Sequence, residues 1–228
     1  DNKYWDDLSF SFEMPKIKIC FSNKQKNITS RTELENFCVD IGLDPFKLIT
    51  VNQTHSSNII SANLPGNYDC YDGILNFGGK LVCSIKVADC LPIYFVNDIS
   101  KTLGLLHAGW RGLSSGIIKK YLDMVSNEVG SHLNTYVLIG PSIQECCFRI
   151  QEDVINHFDS KFYSKIDDKH FKVNLQEWAL NQILDSNIKV ENVFISKNCT
   201  YCYKSKYHSY RRDARNAGRM YAMLGWEE

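Results

Sequence analysis

The sequence has no net charge and no long apolar segment. Its 26 basic residues balance 26 acidic residues, so no overall electrostatic field would attract nucleic acid or an anionic membrane surface. No run of residues approaches the length that a helix needs to cross a bilayer. The first residues also lack the basic region and apolar core of a secretion signal. We therefore expect a soluble, cytoplasmic protein with neither a nucleic-acid nor a membrane partner.

Internal repeats, low-complexity tracts and linker-like segments are missing as well. The sequence contains no Walker or dinucleotide-binding fingerprint, so neither of these phosphate-binding loops is expected. Its 228 residues are enough to build one large hydrophobic core. We therefore predict a single domain of the α+β class that spans residues 1–228.

Nine cysteines are a high count, but the number is odd and the chain is not small. Disulfide frameworks belong to short secreted domains, so we expect mostly reduced thiols. Cys199 and Cys202 have Cys-x-x-Cys spacing, and Cys146 and Cys147 are adjacent. No second pair lies near either of them in the sequence, so the spacing does not favour a structural zinc site.

Hydrophobic periodicity predicts alternating strands and helices. The predicted strands cover residues 16–21, 46–51, 81–87, 92–96, 102–106, 135–139, 171–173 and 190–195. A capping box at Ser30 and Glu33 starts a helix that ends at Gly42. Further helices are predicted over residues 112–128, 152–158 and 175–184.

Three residues at predicted strand ends are candidates for a metal site. His55 follows strand 46–51, Cys90 lies between two apolar strands, and His107 ends strand 102–106. Two histidines and one cysteine are a ligand set for catalytic zinc, with one coordination position left for water or substrate. Their spacing is too long for a zinc-finger signature. The residues alone therefore leave open the alternative that all three belong to the core.

Six motifs that occur in order along the chain point to a known family. They are Thr54-His55, Ala88-Asp89-Cys90-Leu91-Pro92, His107-Ala108-Gly109-Trp110-Arg111-Gly112, Gly140-Pro141-Ser142-Ile143, Asn198-Cys199-Thr200 and Ser209-Tyr210-Arg211-Arg212-Asp213. Together they closely resemble the YfiH/laccase-domain family, long labelled polyphenol oxidase, over nearly the whole chain. The resemblance implies a YfiH-like fold of mixed β-sheets layered with flanking helices, and a zinc site formed by His55, Cys90 and His107.

The resemblance also implies an enzyme of purine nucleosides. The implied reactions are phosphorolysis of adenosine, inosine, guanosine and methylthioadenosine, and deamination of adenosine. Zinc with an open position lowers the pKa of bound water to ~7 and thereby supplies hydroxide. Deamination further needs a carboxylate that moves protons, for which Asp89 and Asp72 are candidates beside Cys90 and His107. We expect small-molecule substrates, and a monomer or a small homo-oligomer.

Phosphorolysis requires an anion site beside the sugar, because cleavage of the glycosidic bond passes through an oxocarbenium-like state. Arg111, Arg211 and Arg212 are the candidates, since planar guanidinium groups match phosphate. The family usually has Ser-Thr-Arg after the first strand, whereas Lys24 stands there in this sequence. Lysine is a point charge, which weakens the expectation that this loop contacts phosphate. Ser56 stands where the family often has glycine.

Three alternative functions remain at this point. The first is a copper polyphenol oxidoreductase, although the chain has six histidines and no His-x-His pair for a copper cluster. A Cys/His site could still bind copper instead of zinc. The second is a cysteine hydrolase with Cys90 as nucleophile and His107 as base, because the fold resembles that of a cysteine-dependent deamidating toxin. The third is an amide hydrolase or binding protein that edits peptidoglycan precursors.

Overall fold

The computed structural model describes residues 3–12 and 14–227. Within these ranges, fifteen strands form two six-stranded sheets and one small three-stranded sheet. The first sheet has the spatial order β1 (Trp5–Asp7), β2 (Ile17–Ser22), β15 (Met220–Trp226), β7 (Val82–Val87), β3 (Leu48–Asn52) and β5 (Gly66–Asp69). In the second sheet the order is β14 (Val193–Ile195), β10 (Tyr136–Ile139), β8 (Leu91–Asn97), β9 (Thr102–Ala108), β6 (Gly73–Asn76) and β4 (Ile59–Ser61).

Both large sheets mix parallel and antiparallel pairs. In the first sheet β3 is parallel to both of its neighbours, and in the second the outermost pair at each edge is parallel. The small sheet is antiparallel and has the order β11 (Arg149–Gln151), β13 (His170–Val173) and β12 (Tyr163–Lys165). The predicted α+β class with mixed sheets is confirmed.

In the part of the chain that the structure describes, six α-helices flank the sheets. They are α1 (Arg31–Asp40), α2 (Trp110–Ser114), α3 (Ile117–Val129), α4 (Glu152–Ile155), α5 (Leu175–Leu184) and α6 (Tyr210–Asp213). Single 3-10 turns lie at Ser9–Ser11, Pro45–Lys47, Phe77–Gly79, Ser160–Phe162, Val190–Asn192 and Ala214–Asn216. None of the helices in the described ranges is long and apolar enough to cross a membrane.

The elements stack in four layers around buried apolar side chains. The side chains between the sheets include Ile49, Ile85 and Leu105, and α1 covers the other face of the first sheet. Helices α3 and α5 pack on the outer face of the second sheet. Every residue of β8 and β9 is buried, because each strand has packed layers on both faces. This explains why both strands are mostly apolar.

Several predicted elements have different bounds in the structure. The predicted helix 112–128 is wrong as one element, because the chain breaks between α2 and α3 at Gly116, whose φ of 73° lies in the left-handed region. The predicted helix 152–158 ends at Ile155. The predicted strands 46–51 and 190–195 both begin with a 3-10 turn. Helix α1 has the predicted capping box, in which Ser30 accepts from the Glu33 amide and Glu33 accepts from the Ser30 amide.

The turn between β7 and β8 crosses from one large sheet to the other. β7 belongs to the first sheet and β8 to the second, so the apolar strands on either side of Cys90 do not lie in a common sheet. His55 follows β3 of the first sheet, and His107 lies in β9 of the second. The three candidate ligands therefore meet where the two sheets join.

Candidate active site

His55, Cys90 and His107 converge as the sequence predicts. Their ligand atoms all lie within 4.8 Å of one another, and the two imidazole rings are 4.9 Å apart between centroids. His107 is buried, Cys90 is partly buried and His55 is exposed to solvent. The three side chains thus form a compact N, S, N donor set that is open on the His55 side.

A buried carboxylate holds two of these three residues in place. Asp72 has no exposed surface and lies directly before β6. One of its oxygens is 2.8 Å from His107 Nδ1 and accepts from the His55 amide at 3.0 Å. The other accepts from the amide and hydroxyl of Ser56 at 2.6 and 2.7 Å. With Nδ1 bonded to Asp72, His107 has Nε2 left for a metal, as is usual for metal-binding histidines.

The charge distribution favours a thiolate at Cys90. Burial raises the pKa of this thiol, but the imidazoles of His107 and His55 outweigh burial and lower the pKa to about 6. Burial lowers the pKa of His107, yet Cys90 and Asp72 outweigh it and raise this pKa to about 9. Burial also opposes ionisation of Asp72, but hydrogen bonds from His107 and Ser56 hold the pKa of that carboxyl well below its usual range. Thiolate is the form in which cysteine binds metals.

The backbone around the donor set is shaped to bring the ligands together. His55 has a φ of 59° and Asp89 a φ of 88°, both in the left-handed region that costs most residues free energy. A Cβ atom on Gly109 would lie 2.9 Å from Cys90 Sγ and 3.6 Å from His55 Cδ2. Only glycine therefore leaves room for the thiolate at this position. These features fit a bound metal ion.

Asp89 is fully engaged in hydrogen bonds beside Cys90. Its carboxylate accepts from the Thr200 hydroxyl at 2.6 Å, the Ser209 hydroxyl at 3.0 Å and the Arg211 amide at 2.7 Å. Its backbone carbonyl accepts from the Ile143 amide at 2.9 Å. Asp89 thus ties the Cys90 turn to two other segments of the chain.

The donor set opens into a cavity of about 650 Å³. Arg111 and Arg211 line this cavity, as do the cationic residues Lys86 and Arg219. Aromatic side chains at Trp110, Phe148 and Tyr210 and the amides of Asn52 and Gln53 form much of the remaining wall. Among the described residues that line it, Asp89 is the only acidic one. The cavity therefore offers positive charge, aromatic rings and metal ligands together.

Two of the four basic residues singled out in the sequence lie at the cavity and two lie elsewhere. The guanidinium of Arg111 lies 4.3 Å from the Trp110 ring centroid, and that of Arg211 lies 5.1 Å from the Phe148 ring centroid. Arg212 does not line the cavity and donates instead to backbone carbonyls of Thr200, Tyr201 and Tyr207 and to the Asp213 carboxylate. The hydrogen bonds of Arg212 thus stabilise the loop that precedes α6.

Lys24 also lies outside the set of residues that line the cavity. Its backbone amide donates to the Lys206 carbonyl at 2.7 Å, and its charge acts on His208, where burial and then Lys24 lower the histidine pKa. The positive charge of Lys24 therefore acts on the segment with His208 and not on the cavity lining.

Lys86, Arg219 and Gln53 were not identified from the sequence as site residues. Lys86 is the one exposed residue of β7, and a lone charge in an apolar strand is a usable signal. Gln53 lacks such a signal: its side-chain amide accepts from the Lys86 amide at 2.9 Å and donates to the Lys86 carbonyl at 2.7 Å. These two bonds continue the pairing of β3 with β7 beyond its last backbone pair. Arg219 precedes β15, a strand that the periodicity did not reveal.

The chain matches one family model and several known proteins over most of its length. Residues 18–227 match the family model described as multi-copper polyphenol oxidoreductase laccase. A Haemophilus influenzae protein named purine nucleoside phosphorylase is 30% identical over 90% of this chain and 83% of its own length. The purine nucleoside phosphorylase YlmD of Geobacillus stearothermophilus is 27% identical over 82% of this chain and 70% of its own length.

A solved structure has the same fold. The crystal structure of the Bacillus licheniformis hypothetical protein YfiH superposes with a TM-score of 0.90 at 22% identity, and the match covers 99% of this chain and 97% of that one. The layered arrangement of mixed sheets and helices is therefore shared across nearly the full length of both chains.

Proposed function

The chain belongs to the multi-copper polyphenol oxidoreductase laccase family, and from this premise we propose that it is a metal-dependent purine nucleoside phosphorylase. The observation that supports the proposal best is one cavity that contains both the His55, Cys90, His107 donor set and a group of cationic side chains. Relatives that carry the name purine nucleoside phosphorylase support the same activity.

Zinc is the metal that we propose for the donor set. Two imidazoles and a thiolate suit Zn²⁺ and leave one position open, as in catalytic zinc sites. When bound there, zinc would act as a Lewis acid and lower the pKa of water. Copper would also bind such ligands, but the sequence has no His-x-His pair to complete a multi-copper cluster.

Phosphate is proposed to bind to the cationic wall of the cavity. Arg111 and Arg211 are each placed over an aromatic ring, which fixes the plane of the guanidinium group. Planar guanidinium groups can form paired hydrogen bonds to two phosphate oxygens. Lys86 and Arg219 add charge on other sides of the same cavity. The exposed ring of Tyr210 is a stacking surface for the purine base.

In the proposed reaction a phosphate oxygen forms a bond to C1′ of the ribose while the bond from C1′ to the purine nitrogen breaks. The electron pair of the broken bond leaves with the purine, which gains a proton. The second product is ribose 1-phosphate, or methylthioribose 1-phosphate when the substrate is methylthioadenosine. The sugar is oxocarbenium-like in the transition state, so an anion fixed beside it is stabilising. Adenosine, inosine, guanosine and methylthioadenosine all contain this bond and are the proposed substrates.

We assign Asp89 and Asp72 to positioning within this proposal. Both oxygens of Asp89 accept hydrogen bonds from neighbouring segments, so it orients the Cys90 turn and the segment with Arg211. Asp72 orients His107. Deamination of adenosine at the same cavity is the second proposed reaction: a water oxygen forms a bond to purine C6, the bond from C6 to the amino nitrogen breaks, and ammonia leaves.

Incubation of the purified protein with adenosine tests the proposal. Products are read by mass spectrometry with and without phosphate, before and after removal of the metal. Adenine and ribose 1-phosphate, formed only when phosphate and metal are both present, are expected. Inosine formed without phosphate would demonstrate deamination. Absence of all three products from zinc-loaded protein would refute the purine assignment, and a muramyl-peptide substrate would then test peptidoglycan precursor editing.

The arrangement of Cys90, His107 and Asp72 favours cysteine hydrolysis as a second candidate. His107 lies next to Cys90 and shares a 2.8 Å hydrogen bond with Asp72, which is the order of nucleophile, base and orienting group. A thiolate bound to zinc is not free to attack a substrate. Metal analysis and alkylation of Cys90 therefore separate the candidates: zinc-free protein with a reactive Cys90 supports the hydrolase, and zinc-loaded protein with a protected Cys90 supports the phosphorylase.

A further inference from the structure

Four cysteines outside the cavity form a second compact donor set. Cys146 and Cys147 lie in the loop between β10 and β11, and Cys199 and Cys202 follow β14. The sequence spacing did not favour a zinc site because the two pairs are far apart along the chain. Folding brings them together, and the four sulfur atoms all lie within 4.8 Å of one another.

The distances between these sulfur atoms match one tetrahedral ion. Cys146 Sγ lies 3.5 Å from Cys147 Sγ and 3.8 Å from the sulfurs of Cys199 and Cys202, and Cys147 Sγ lies 3.3 Å from Cys202 Sγ. Four thiolates at about 2.3 Å from a zinc ion would be about 3.8 Å apart. An iron–sulfur cluster contains several irons and would hold its cysteines farther apart. A disulfide would require about 2.05 Å.

The surroundings of the four sulfurs include a backbone donor that points at one of them. The amide of Gln144 donates to Cys199 Sγ at 3.5 Å. Four thiolates cannot collect here without a compensating charge, and a divalent cation supplies it.

We propose that Cys146, Cys147, Cys199 and Cys202 bind one zinc ion in a structural tetrathiolate site. All four coordination positions would be filled by protein, as in structural rather than catalytic zinc sites. This centre is separate from the His55, Cys90, His107 donor set and does not depend on the proposed purine activity.

The ion would clamp two segments that form part of the cavity wall. Cys147 precedes Phe148, which lines the cavity and lies beneath the Arg211 guanidinium. Cys199 precedes Thr200, whose hydroxyl holds the Asp89 carboxylate. Coordination by cysteines from both segments would fix the wall beside the candidate active site. The two segments also share a backbone bridge between Ser142 and Cys199, which places the pairs in register.

Zinc stoichiometry tests the proposal directly. Elemental analysis of protein purified without chelators is expected to find two zinc ions per chain in the wild type. One zinc is expected in a Cys146→Ser, Cys202→Ser double variant and one in a His55→Ala, His107→Ala double variant. Cys70→Ser is the matched control, because Cys70 is exposed and lies outside both donor sets. Equal zinc content in Cys70→Ser and the double cysteine variant would overturn the proposal.

A second measurement uses the unmodified chain, so it does not depend on variants that fold. The protein is stripped of metal, reduced, and alkylated with or without added zinc, and each cysteine is followed by mass spectrometry. Zinc is expected to slow alkylation of Cys146 and Cys202 by more than about tenfold while that of Cys70 is unchanged. Equal rates with and without zinc would overturn the proposal. A disulfide between Cys147 and Cys202 that forms despite added zinc would also overturn it and indicate a redox pair instead.

Discussion

Replacement of Asp72 by asparagine is expected to weaken metal binding without altering the ligands. Each oxygen of this carboxylate accepts several hydrogen bonds, and the donors include His107 Nδ1 and the amides of Thr54, His55 and Ser56. Asparagine has one oxygen and one NH₂ group, so in either orientation its NH₂ group faces donors. If NH₂ faces His107, the imidazole must accept at Nδ1 and carry its proton on Nε2, the nitrogen needed by the metal.

The expected effect is 10- to 100-fold weaker zinc binding, which is about 1.4–2.7 kcal/mol. If NH₂ faces the other way, the Ser56 amide loses its acceptor inside the protein, which costs about 1–3 kcal/mol of folding free energy. Competition with a chromophoric zinc chelator measures the affinity, and urea unfolding of the zinc-free protein measures the stability. One orientation of the asparagine amide weakens zinc binding and the other lowers stability. At least one of these two effects is therefore expected in Asp72→Asn.

The matched control is Ser56→Gly, which restores the residue often found in the family at this position. It removes one hydroxyl donor at 2.7 Å from Asp72 and leaves the carboxylate and His107 unchanged. Its zinc affinity is expected to stay within about threefold of wild type, since the hydrogen bond to the ligand remains. Wild-type zinc affinity and stability in Asp72→Asn would refute the positioning role of this carboxylate.

Three further expectations concern the same site. Gly109→Ala places a methyl group 2.9 Å from Cys90 Sγ and should weaken zinc binding about tenfold or more. The far-ultraviolet circular dichroism spectrum should be retained. Unchanged zinc affinity would show that the turn can relax. Arg211→Ala should raise the phosphate KM by about 10- to 100-fold. Arg212→Ala should instead lower thermal stability and leave the phosphate KM nearly unchanged. Similar effects of the two variants on this KM would contradict the placement of the two guanidinium groups. In zinc-free protein, alkylation of Cys90 should follow a thiolate with a pKa of about 6, so the rate should stay high down to pH 6 and fall below it; a midpoint near pH 9 would contradict the stabilising effect of the histidines.

The sequence was sufficient to predict the elements whose hydrophobic pattern follows directly from which of their faces are buried. Helix α5 has the predicted bounds Leu175–Leu184, and β8 and β9 were recognisable because burial on both faces makes them mostly apolar. The strand β15 was missed, although it lies between β2 and β7 in the first sheet. Its sequence, Met220–Trp226, has no β-branched residue and contains a glycine, so Tyr221 and Trp226 alone gave only a weak strand signal.

The candidate metal ligands were easier to select from the sequence than the contacts that position them. His55, Cys90 and His107 could be chosen by residue type and motif, whereas the hydrogen bonds of Asp72 depend on where β6 begins relative to β9. The sequence did not favour a zinc site at the four cysteines, because their two pairs come together only after β10 and β14 align. Long-range pairing of this kind leaves no trace in local spacing.

The position of the donor set at the junction of the two large sheets has a consequence for how the chain matures. His55 is supplied by the first sheet and His107 by the second, with Cys90 in the crossing between them. The three ligands therefore cannot converge until both sheets have docked, so a fully coordinated ion forms only on an assembled chain. The absorbance of cobalt bound to this thiolate-containing site would then report when the two sheets dock during refolding. Metal insertion would then follow the docking of the two sheets, and the ion would enter from the open His55 side.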